Sequence, residues 1–194
     1  MKKSNIILAG VGGQGILTIA ACIGMATLKE KLFFKQSEVH GMSQRGGAVQ
    51  SHFRISEKPV ASDLVPLGQA DIILSVEPLE TLRYLPYLNS NGWLVCNSSP
   101  FINVPDYPEI DKIRNAVESW SNHIIIDADQ IAKDMGARRA SNMVILGAAS
   151  KHICLDFESL EAGIANIFQS KGDDIVRMNI AALHAGRDAG DKMQ

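Results

Sequence analysis

The stretch "NIILAGVGGQGILTIAACIGMATLKE", residues 5–30, decides the fold. It begins with a short continuous apolar run, which is typical of a strand that is covered on both faces. Four glycines follow within six residues, and the apolar residues after them, among them Ile16, Ile19 and Ile23, repeat at helical spacing. The sequence therefore predicts a strand at 5–10, a glycine-rich turn and a long helix, which is the first step of an α/β fold.

The residues that follow continue the alternation of strands and helices. A second strand is predicted at 31–38, and buried-type apolar runs predict further strands at 70–76, 92–98 and 122–127. Helical patterns lie at 78–88 and 109–120. The segment 46–56 differs because apolar and polar residues alternate along it, which is typical of an antiparallel or edge strand. We expect Asn91 and Gly92 to form the turn before the strand at 92–98.

The pattern changes after Asp127, where no further strand is evident. Helices are predicted at 128–136, 141–153, 156–170 and 173–190. Asp127 can cap the first of them, with Gln130 placed as in a capping box, and Asp156 can cap the third. We therefore predict a single α/β domain over 1–194, with a Rossmann-like, mostly parallel sheet flanked by helices at about 1–127 and a helical C-terminal layer at about 128–194.

Composition limits the possible classes of function. The 194 residues carry a formal net charge of −2, so bulk positive charge does not drive nucleic-acid binding. No apolar segment reaches about 18 residues, so we expect no membrane span. The three cysteines, Cys22, Cys96 and Cys154, form no C-x-x-C motif, so the chain alone should hold neither zinc nor an iron–sulfur cluster. Free thiols in apolar contexts fit a reducing, cytoplasmic environment.

The turn "GVGGQG", residues 10–15, matches the pattern G-x-G-x-x-G between a strand and a helix. Free N–H groups at the start of that helix suit a phosphate or a carboxylate. A dinucleotide-binding motif also requires an acidic residue at the end of the second strand, and Glu38 lies near that place. A P-loop is disfavoured because Ile16 and Leu17 occupy the Lys and Ser/Thr positions. A dinucleotide site, another anion or backbone-ligand role, and a purely structural turn all stay open.

A second motif, "SEVHGMSQRGGAVQSHFRI" at residues 37–55, reads as a loop that leads into a strand. Its glycines make the loop pliable, and its polar residues up to Arg45 supply hydrogen-bond donors. An arginine fork suits a carboxylate or a phosphate. Along the strand, Gln50, His52 and Arg54 lie on one face, where they either extend this cationic surface or form a solvated strand face.

Together, "ILAGVGGQGILT" and "SEVHGMSQRGGAVQSHFRI" resemble the gamma-domain family of the 2-oxoacid:ferredoxin oxidoreductases. Within that family they are most similar to the small (beta) subunits of the indolepyruvate:ferredoxin enzymes. The chain length, the order of strands and the segments "SNMVILGA" and "NIAALHAG" are similar as well, so the resemblance extends over essentially the whole chain.

The resemblance implies a subunit of an enzyme that oxidatively decarboxylates an aryl 2-oxoacid, transfers the acyl group to coenzyme A and passes electrons to ferredoxin. Thiamine diphosphate, magnesium and 4Fe–4S clusters would belong to a large partner subunit, because this chain lacks cluster cysteines and a G-D-G…N motif. The small chain would be inactive without that partner, would meet ferredoxin only indirectly, and could self-associate when isolated. The sequence does not define which 2-oxoacid is used.

The resemblance also implies a role for the two motifs. We expect them to frame the entrance for coenzyme A or the 2-oxoacid, or to dock on the partner, through Gly12, Gly13, Gln14, Gly15, His40, Ser43, Gln44 and Arg45. No residue is assigned as a catalytic base, because the carbanion chemistry belongs to thiamine. Two alternatives stand beside this one: a free-standing NAD(P)- or FAD-binding Rossmann-type protein, and a scaffold in which Arg45 only pairs with a partner carboxylate.

Overall fold

One mixed β-sheet forms the centre of the computed structural model, which describes residues 2–40, 46–102 and 104–193. Its strands are β1 (Lys3–Val11), β2 (Phe33–His40), β3 (Ala48–Ser56), β4 (Ala70–Ser75), β5 (Leu88–Asn97) and β6 (His123–Ile126). They lie in the order β2-β3-β1-β4-β5-β6. The β1–β4, β4–β5 and β5–β6 pairs are parallel, whereas β3 is antiparallel to both β1 and β2. The predicted mostly parallel sheet is therefore confirmed, with β3 as the one reversed strand among those described.

Helices cover both faces of this sheet. They are α1 (Ile16–Lys29), α2 (Pro78–Arg83), α3 (Ile110–Glu118), α4 (Ala128–Asp134), α5 (Ser141–Ala149), α6 (Phe157–Phe168) and α7 (Asp173–Asp191). Ile6 and Leu8 of β1 pack in one core with α1 and α4–α7, whereas Ile7 and Ala9 pack in another with α2 and α3. The apolar run of β1 is continuous because both of its faces are buried. The predicted helical C-terminal layer is confirmed.

Two close helix contacts join the C-terminal helices to the rest of that layer. A Cβ atom at Gly163 of α6 would lie 2.3 Å from the carbonyl oxygen of Cys22 in α1. A Cβ atom at Gly186 of α7 would lie 1.8 Å from the carbonyl oxygen of Val144 in α5. Because only a hydrogen atom fits at these two points, α6 lies directly against α1 and α7 lies directly against α5.

The position of β3 differs from the simplest expectation for a strand–turn–helix–strand unit, in which β1 and β2 would be neighbours. β3 folds back from β2 and pairs with both of them, so that Ala9 lies opposite Gln50 and Val39 also lies opposite Gln50. The antiparallel orientation predicted from its alternating pattern is confirmed. The alternative of an edge position is wrong, because β2 forms the edge of the sheet instead.

The turn predicted at Asn91 and Gly92 is also wrong, because both residues lie inside β5. The pairing with β4 shifts register between Ala70 and Ile72, so the strand is irregular here. The N–H of Asn91 donates to Oδ1 of Asn89 at 2.9 Å, and a Cβ atom at Gly92 would lie 3.0 Å from the carbonyl oxygen of Ala70. The Asn-Gly pair therefore bends a continuous strand and brings it close to its neighbour.

The predicted helix caps have different outcomes. Oδ1 of Asp127 accepts the N–H of Gln130 at 2.8 Å, which confirms the cap on α4. The Gln130 side chain does not return to the cap residue as in a capping box but donates to Asp134. Asp156 occupies the N-cap position of α6 without a side-chain cap bond, and its Oδ1 accepts from Nζ of Lys2 at 3.2 Å.

The helix predicted at 78–88 is shorter than expected. It ends at Arg83, and a single 3-10 turn follows at Leu85–Tyr87. Pro86 has no N–H to continue the helical hydrogen bonds, which accounts for the early end. Within the described ranges, none of the helices is both long enough and apolar enough to cross a membrane.

Candidate functional site

The carboxyl ends of β1 and β4 lie side by side at the switch point of the sheet. The next strands after β1 lie on one side of this point, and the strands after β4 lie on the other. The N–H of Val76, just after β4, donates to the carbonyl oxygen of Ala9 in β1 at 3.0 Å. From here α1 covers one face of the sheet and α2 covers the other. Ligands of open α/β sheets bind in the crevice at such a switch point, so this end of the sheet is the candidate site.

The glycine turn lies at this point and is held by its own residues. Oε1 of Gln14 accepts the N–H of Val11 at 2.8 Å, so the Gln14 side chain closes the turn. Gly13 and Gly15 have φ angles of +102° and +84°, which only glycine adopts without strain. The carbonyl oxygen of Gly15 accepts from Nδ2 of Asn142 at 3.2 Å, which ties the turn to α5.

The start of α1 has free capacity for an anion. Within the described residues no side chain caps α1, and its first turn contains no acidic residue. The first N–H groups of a helix lack intrahelical partners and carry a partial positive charge. The anion or backbone-ligand role considered for the turn therefore has a structural basis.

The hairpin that follows β2 is joined to this turn through the backbone. The N–H of Gly12 donates to the carbonyl oxygen of Gly47 at 2.9 Å, and the N–H of Gly46 donates to the carbonyl oxygen of Gly12 at 3.4 Å. His40 is the last residue of β2. Three predicted site residues lie outside the described residues, namely Ser43, Gln44 and Arg45. The structure thus brings Gly46, which directly follows their segment, to the glycine turn.

The predicted extension of the cationic surface along β3 is wrong. His52 is buried, and its Nδ1 accepts the N–H of Val65 at 3.1 Å, while burial lowers its pKa. The Arg54 guanidinium donates to Oδ1 of Asn5 at 3.1 Å and to the carbonyl oxygen of Ser62 at 3.0 Å. The segment between β3 and β4 covers this strand face, so these residues hold that segment rather than a ligand or solvent.

Two recesses flank the glycine turn. The first has a volume of about 310 Å³ and lies between the turn, the start of β3 at Val49 and the exposed Leu17 of α1. The second has a volume of about 550 Å³ and lies on the side of the C-terminal helices. Three cationic residues that sequence reasoning missed line the second recess, namely Arg138, Arg139 and Lys171. Only the fold brings Lys171 and the Arg138–Arg139 pair to the turn, although two adjacent arginines are a visible cationic signal in the sequence.

A buried carboxylate organises the segment that follows β5. Glu77 is 1% exposed and accepts hydrogen bonds from the N–H of Glu80 at 2.9 Å, the N–H of Phe101 at 3.2 Å and the hydroxyl of Tyr107 at 2.5 Å. Burial and this carboxylate raise the pKa of Tyr107. The anchored segment exposes a short apolar patch that comprises Phe101, Ile102 and Val104. Exposed apolar clusters of this kind are typical of subunit interfaces.

The cysteines are dispersed. Burial raises the pKa values of Cys22 and Cys96 to about 12 and also raises the pKa of Cys154. Their thiols are therefore protonated at neutral pH. Among the residues that the structure describes, no group of three or more His, Cys, Asp or Glu side chains is arranged to hold a metal ion.

Comparison with known proteins gives concordant matches. The family described as pyruvate ferredoxin/flavodoxin oxidoreductase matches residues 5–189. The chain is 36% identical over 193 residues to the indolepyruvate oxidoreductase subunit IorB of Archaeoglobus fulgidus, covering 95% of this chain and 94% of that protein. It is 40% identical over 159 residues to the subunit of the same name from Thermococcus kodakarensis, covering 78% of each.

Solved structures share the fold. The 2-oxoglutarate:ferredoxin oxidoreductase from Magnetococcus marinus, with 2-oxoglutarate, coenzyme A and succinyl-CoA bound, superposes with a TM-score of 0.78 at 20% identity. That match covers 100% of this chain and 32% of the larger one. The pyruvate oxidoreductase subunit PORC from Thermotoga maritima superposes with a TM-score of 0.74 at 19% identity, covering 97% of each chain.

Proposed function

Because this chain belongs to the pyruvate ferredoxin/flavodoxin oxidoreductase family and is a small subunit of a 2-oxoacid:ferredoxin oxidoreductase, we propose that its enzyme acts on indolepyruvate or another aryl pyruvate. The observation that carries this proposal is the 35–40% identity, over most of the chain, to subunits of indolepyruvate oxidoreductases. The matches reported above give no support to a free-standing NAD(P)- or FAD-binding protein.

We assign the redox cofactors to a large partner subunit. In such an enzyme, thiamine diphosphate with magnesium supports decarboxylation, 4Fe–4S clusters pass electrons to ferredoxin, and the acyl group leaves on coenzyme A. The dispersed, protonated thiols of this chain support the assignment of the clusters elsewhere. This chain then contributes shape and hydrogen-bonding groups to a reaction centre on the partner, and it is inactive alone.

We propose that the glycine turn and the hairpin together frame the coenzyme A entrance. The residues around the turn fit a phosphorylated ligand, because the start of α1 is uncapped and three cations lie beside it. The hydrogen bonds of Gly12 hold Gly46 and Gly47, which directly follow the 41–45 segment, at this place. The proposed site residues remain those that the sequence indicates: Gly12, Gly13, Gln14, Gly15, His40, Ser43, Gln44 and Arg45.

Docking on the partner is the second part of this role. The apolar patch of Phe101, Ile102 and Val104 belongs to the segment anchored by Glu77 at the same end of the sheet. We propose that the large subunit covers this end, so that the isolated chain self-associates through the exposed patch. The whole of 1–194 then acts as a single domain, working in the cytoplasm, where its free thiols stay reduced.

The test is reconstitution. The chain is co-expressed with a large thiamine- and cluster-bearing chain from the same organism, purified without oxygen, and assayed for ferredoxin reduction with indolepyruvate, pyruvate and 2-oxoglutarate. We expect coenzyme A-dependent turnover only in the complex, with indolepyruvate preferred. Turnover by the isolated chain would overturn the subunit role, and preference for 2-oxoglutarate or pyruvate would overturn the substrate.

Arg45→Ala tests the entrance within that complex. If Arg45 contacts coenzyme A, its loss raises the KM for coenzyme A about tenfold or more, because charge-assisted hydrogen bonds to phosphate are strong. Arg114→Ala is the matched control, since Arg114 lies on α3 and pairs with Glu118 at 3.7 Å. Unchanged KM and turnover in Arg45→Ala would leave Arg45 a structural role only.

A further inference from the structure

We propose that residues 57–69, here called the strap, form a proton-sensitive latch that His52 holds closed while its ring is neutral. The strap connects β3 to β4 without a helix or strand of its own, and it crosses the face of β3 that points away from α1. The latch is independent of the proposed function, because all of its parts belong to this chain.

One residue anchors the middle of the strap in the protein. Val65 is 2% exposed and lies in the same core as Ile7 of β1. All other strap residues are exposed, except for the half-buried Val60. Because burial of apolar side chains is the main force that holds such a segment in place, the middle of the strap depends on Val65. Release of Val65 would expose the core beneath it.

The two ends of the strap are fixed independently of this anchor. The N–H of Glu57 donates to the carbonyl oxygen of Lys2 at 3.2 Å. At the other end, the N–H of Gly68 donates to the carbonyl oxygen of Pro86 at 2.9 Å. Opening of the strap is therefore confined to the residues between these two bonds, while β3 and β4 keep their places in the sheet.

His52 holds the anchor residue through its backbone. The ring is 3% exposed, and its Nδ1 accepts the N–H of Val65 at 3.1 Å. A backbone N–H can only donate, so Nδ1 carries no proton and the neutral ring has its proton on Nε2. A proton added to Nδ1 would bring two N–H groups face to face, which removes the hydrogen bond and places a charge beneath the strap.

The strands beside His52 place uncharged or cationic side chains around its ring. The residues opposite it are Ile7 of β1 and Ser37 of β2. Arg54 and Lys35, which lie opposite each other on the same face, donate to carbonyl oxygens of the strap. Because both are cations, they disfavour a further positive charge on this face.

Two other elements face the ring. Tyr87, in the 3-10 turn after α2, packs edge-on against His52 with 5.2 Å between ring centroids. The carboxylate of Asp63, in the strap itself, favours a proton on His52, but burial outweighs this effect and lowers the pKa of His52. Protonation of His52 is therefore unfavourable while the strap is closed.

Protons bind preferentially to the open strap. Once the strap opens, water reaches the ring, and the ordinary pKa of a histidine is about 6.5. The closed strap is therefore fully favoured above about pH 6.5, and this preference is lost as the pH falls from there toward the lowered pKa of the closed form. An open-form pKa of about 6.5 limits the rise of the open population between pH 7 and pH 5 to about 25-fold.

Hydrogen exchange of the full chain, followed by NMR between pH 7 and pH 5, tests the latch. The reporter is the amide of Val65, and the amides of Ile73 and Leu74 in β4 report global unfolding. After correction for the intrinsic exchange rate at each pH, we expect the protection of Val65 to fall at least about fivefold and to stay below that of β4 throughout. Unchanged protection of Val65, or protection equal to that of β4 at each pH, would overturn the proposal.

His52→Asn is the decisive variant, because Oδ1 of asparagine can accept the N–H of Val65 but does not titrate. We expect the protection of Val65 in this variant to change less than about twofold between pH 7 and pH 5. His152→Phe is the matched control, since it removes another histidine whose pKa burial lowers, and it should retain the fivefold fall. A fall that persists in His52→Asn, or that disappears in His152→Phe, contradicts the latch.

The protonation state of His52 in the unsubstituted protein gives a test that does not depend on any variant. Nitrogen chemical shifts of the ring should show a bare Nδ1 and a protonated Nε2 at pH 7. On acidification, the ring should gain its proton over the same pH range in which Val65 loses protection. A protonated Nδ1 at pH 7, or protonation without loss of protection at Val65, would refute the proposal.

Discussion

The backbone N–H of Gly12 donates a 2.9 Å hydrogen bond to the carbonyl oxygen of Gly47. Gly12 follows β1, whereas Gly47 directly precedes β3, so the bond continues the pairing of these two strands beyond the last paired residues, Val11 and Ala48. The glycine turn and the end of the hairpin are therefore one extension of the sheet. A substitution that displaces the turn is expected to displace the hairpin as well.

Gly15→Ala tests the packing of the turn. A Cβ atom at Gly15 would lie 2.5 Å from Nδ2 of Asn142 and would also require an alanine at a φ of +84°, whereas Gly13→Ala meets open space at +102°. We expect Gly13→Ala to lower the free energy of unfolding by about 1–2 kcal/mol and Gly15→Ala by at least about 1 kcal/mol more. Urea denaturation measures the free energy of unfolding of both variants. Equal losses would show that the Asn142 side chain moves away from the added methyl group without an energetic cost.

Tyr107→Phe tests the anchored segment after β5. Removing the hydroxyl takes away one of the three hydrogen bonds that described residues donate to the buried Glu77 carboxylate, so we expect a loss of about 1.5–3 kcal/mol in the free energy of unfolding. Tyr87→Phe is the control, because no hydrogen bond of the Tyr87 hydroxyl occurs within the described residues. A Tyr107→Phe variant as stable as the control would mean that solvent replaces the hydroxyl.

Asp127→Ala and Asp156→Ala form a matched pair at two helix starts. Of the two side-chain carboxylates, only that of Asp127 accepts a backbone N–H of its helix, so its loss should cost about 0.5–2 kcal/mol. The Asp156 carboxylate pairs with Lys2 at an exposed site, so its loss should cost well under 1 kcal/mol. Thermal unfolding of both variants checks this expectation, because Asp127→Ala should have the lower midpoint. A lower midpoint for Asp156→Ala would contradict it.

His152 makes stability depend on pH. Its ring stacks on the Trp93 indole with 3.7 Å between ring centroids, and burial together with Lys151 lowers its pKa to about 4. The unfolded chain therefore binds a proton at His152 below about pH 6.5, whereas the folded chain does so only below about pH 4. We expect the free energy of unfolding to fall as the pH drops from 6.5 toward 4, and His52, whose pKa is lowered as well, adds to this fall.

His152→Phe keeps an aromatic ring on Trp93 and removes the titrating group. Denaturation at several pH values between 7 and 4 should give a smaller slope for this variant than for the unsubstituted protein. A slope that survives in His152→Phe would assign the pH dependence to other groups.

The order of strands and helices could be predicted because each signal is local. Apolar runs such as 70–76 and 92–98 must be buried on both faces, and the spacing of Ile16, Ile19 and Ile23 fits one face of a helix. Asp127 could be recognised as a cap for the same reason, since its partner is three residues away. Asp156 has the same local signal, but its carboxylate accepts from Lys2, which is distant in sequence, and forms no cap bond.

The position of β3 could not be predicted, because pairing between strands depends on contacts that no local pattern specifies. The alternating pattern indicates the antiparallel direction and leaves the neighbours undefined. The interpretation of Asn91-Gly92 as a turn failed for a related reason. An Asn-Gly pair is a strong turn signal. Here, however, both residues lie inside β5, where Gly92 packs closely against Ala70 of the neighbouring strand.

The candidate site was partly predictable. The glycine turn has a sequence pattern that carries its own geometry, and the structure places it at the switch point of the sheet. Arg138, Arg139 and Lys171 have no such pattern, because they reach the turn only through the packing of α5, α6 and α7. His52 and Arg54 looked available in the sequence, but the chain covers them.

β3 directs Phe53 into the core beneath α1 and His52 to the opposite face of the sheet. Because side chains alternate along a strand, deleting one residue within β3 would place Arg54 in that core and expel Phe53 from it. An insertion between His40 and Gly46 lies outside all three paired strands and leaves the alternation intact. Such an insertion would therefore keep β3 in register while it changed the spacing of the proposed site residues Ser43, Gln44 and Arg45, so we expect it to impair the assembled enzyme with little loss in the free energy of unfolding.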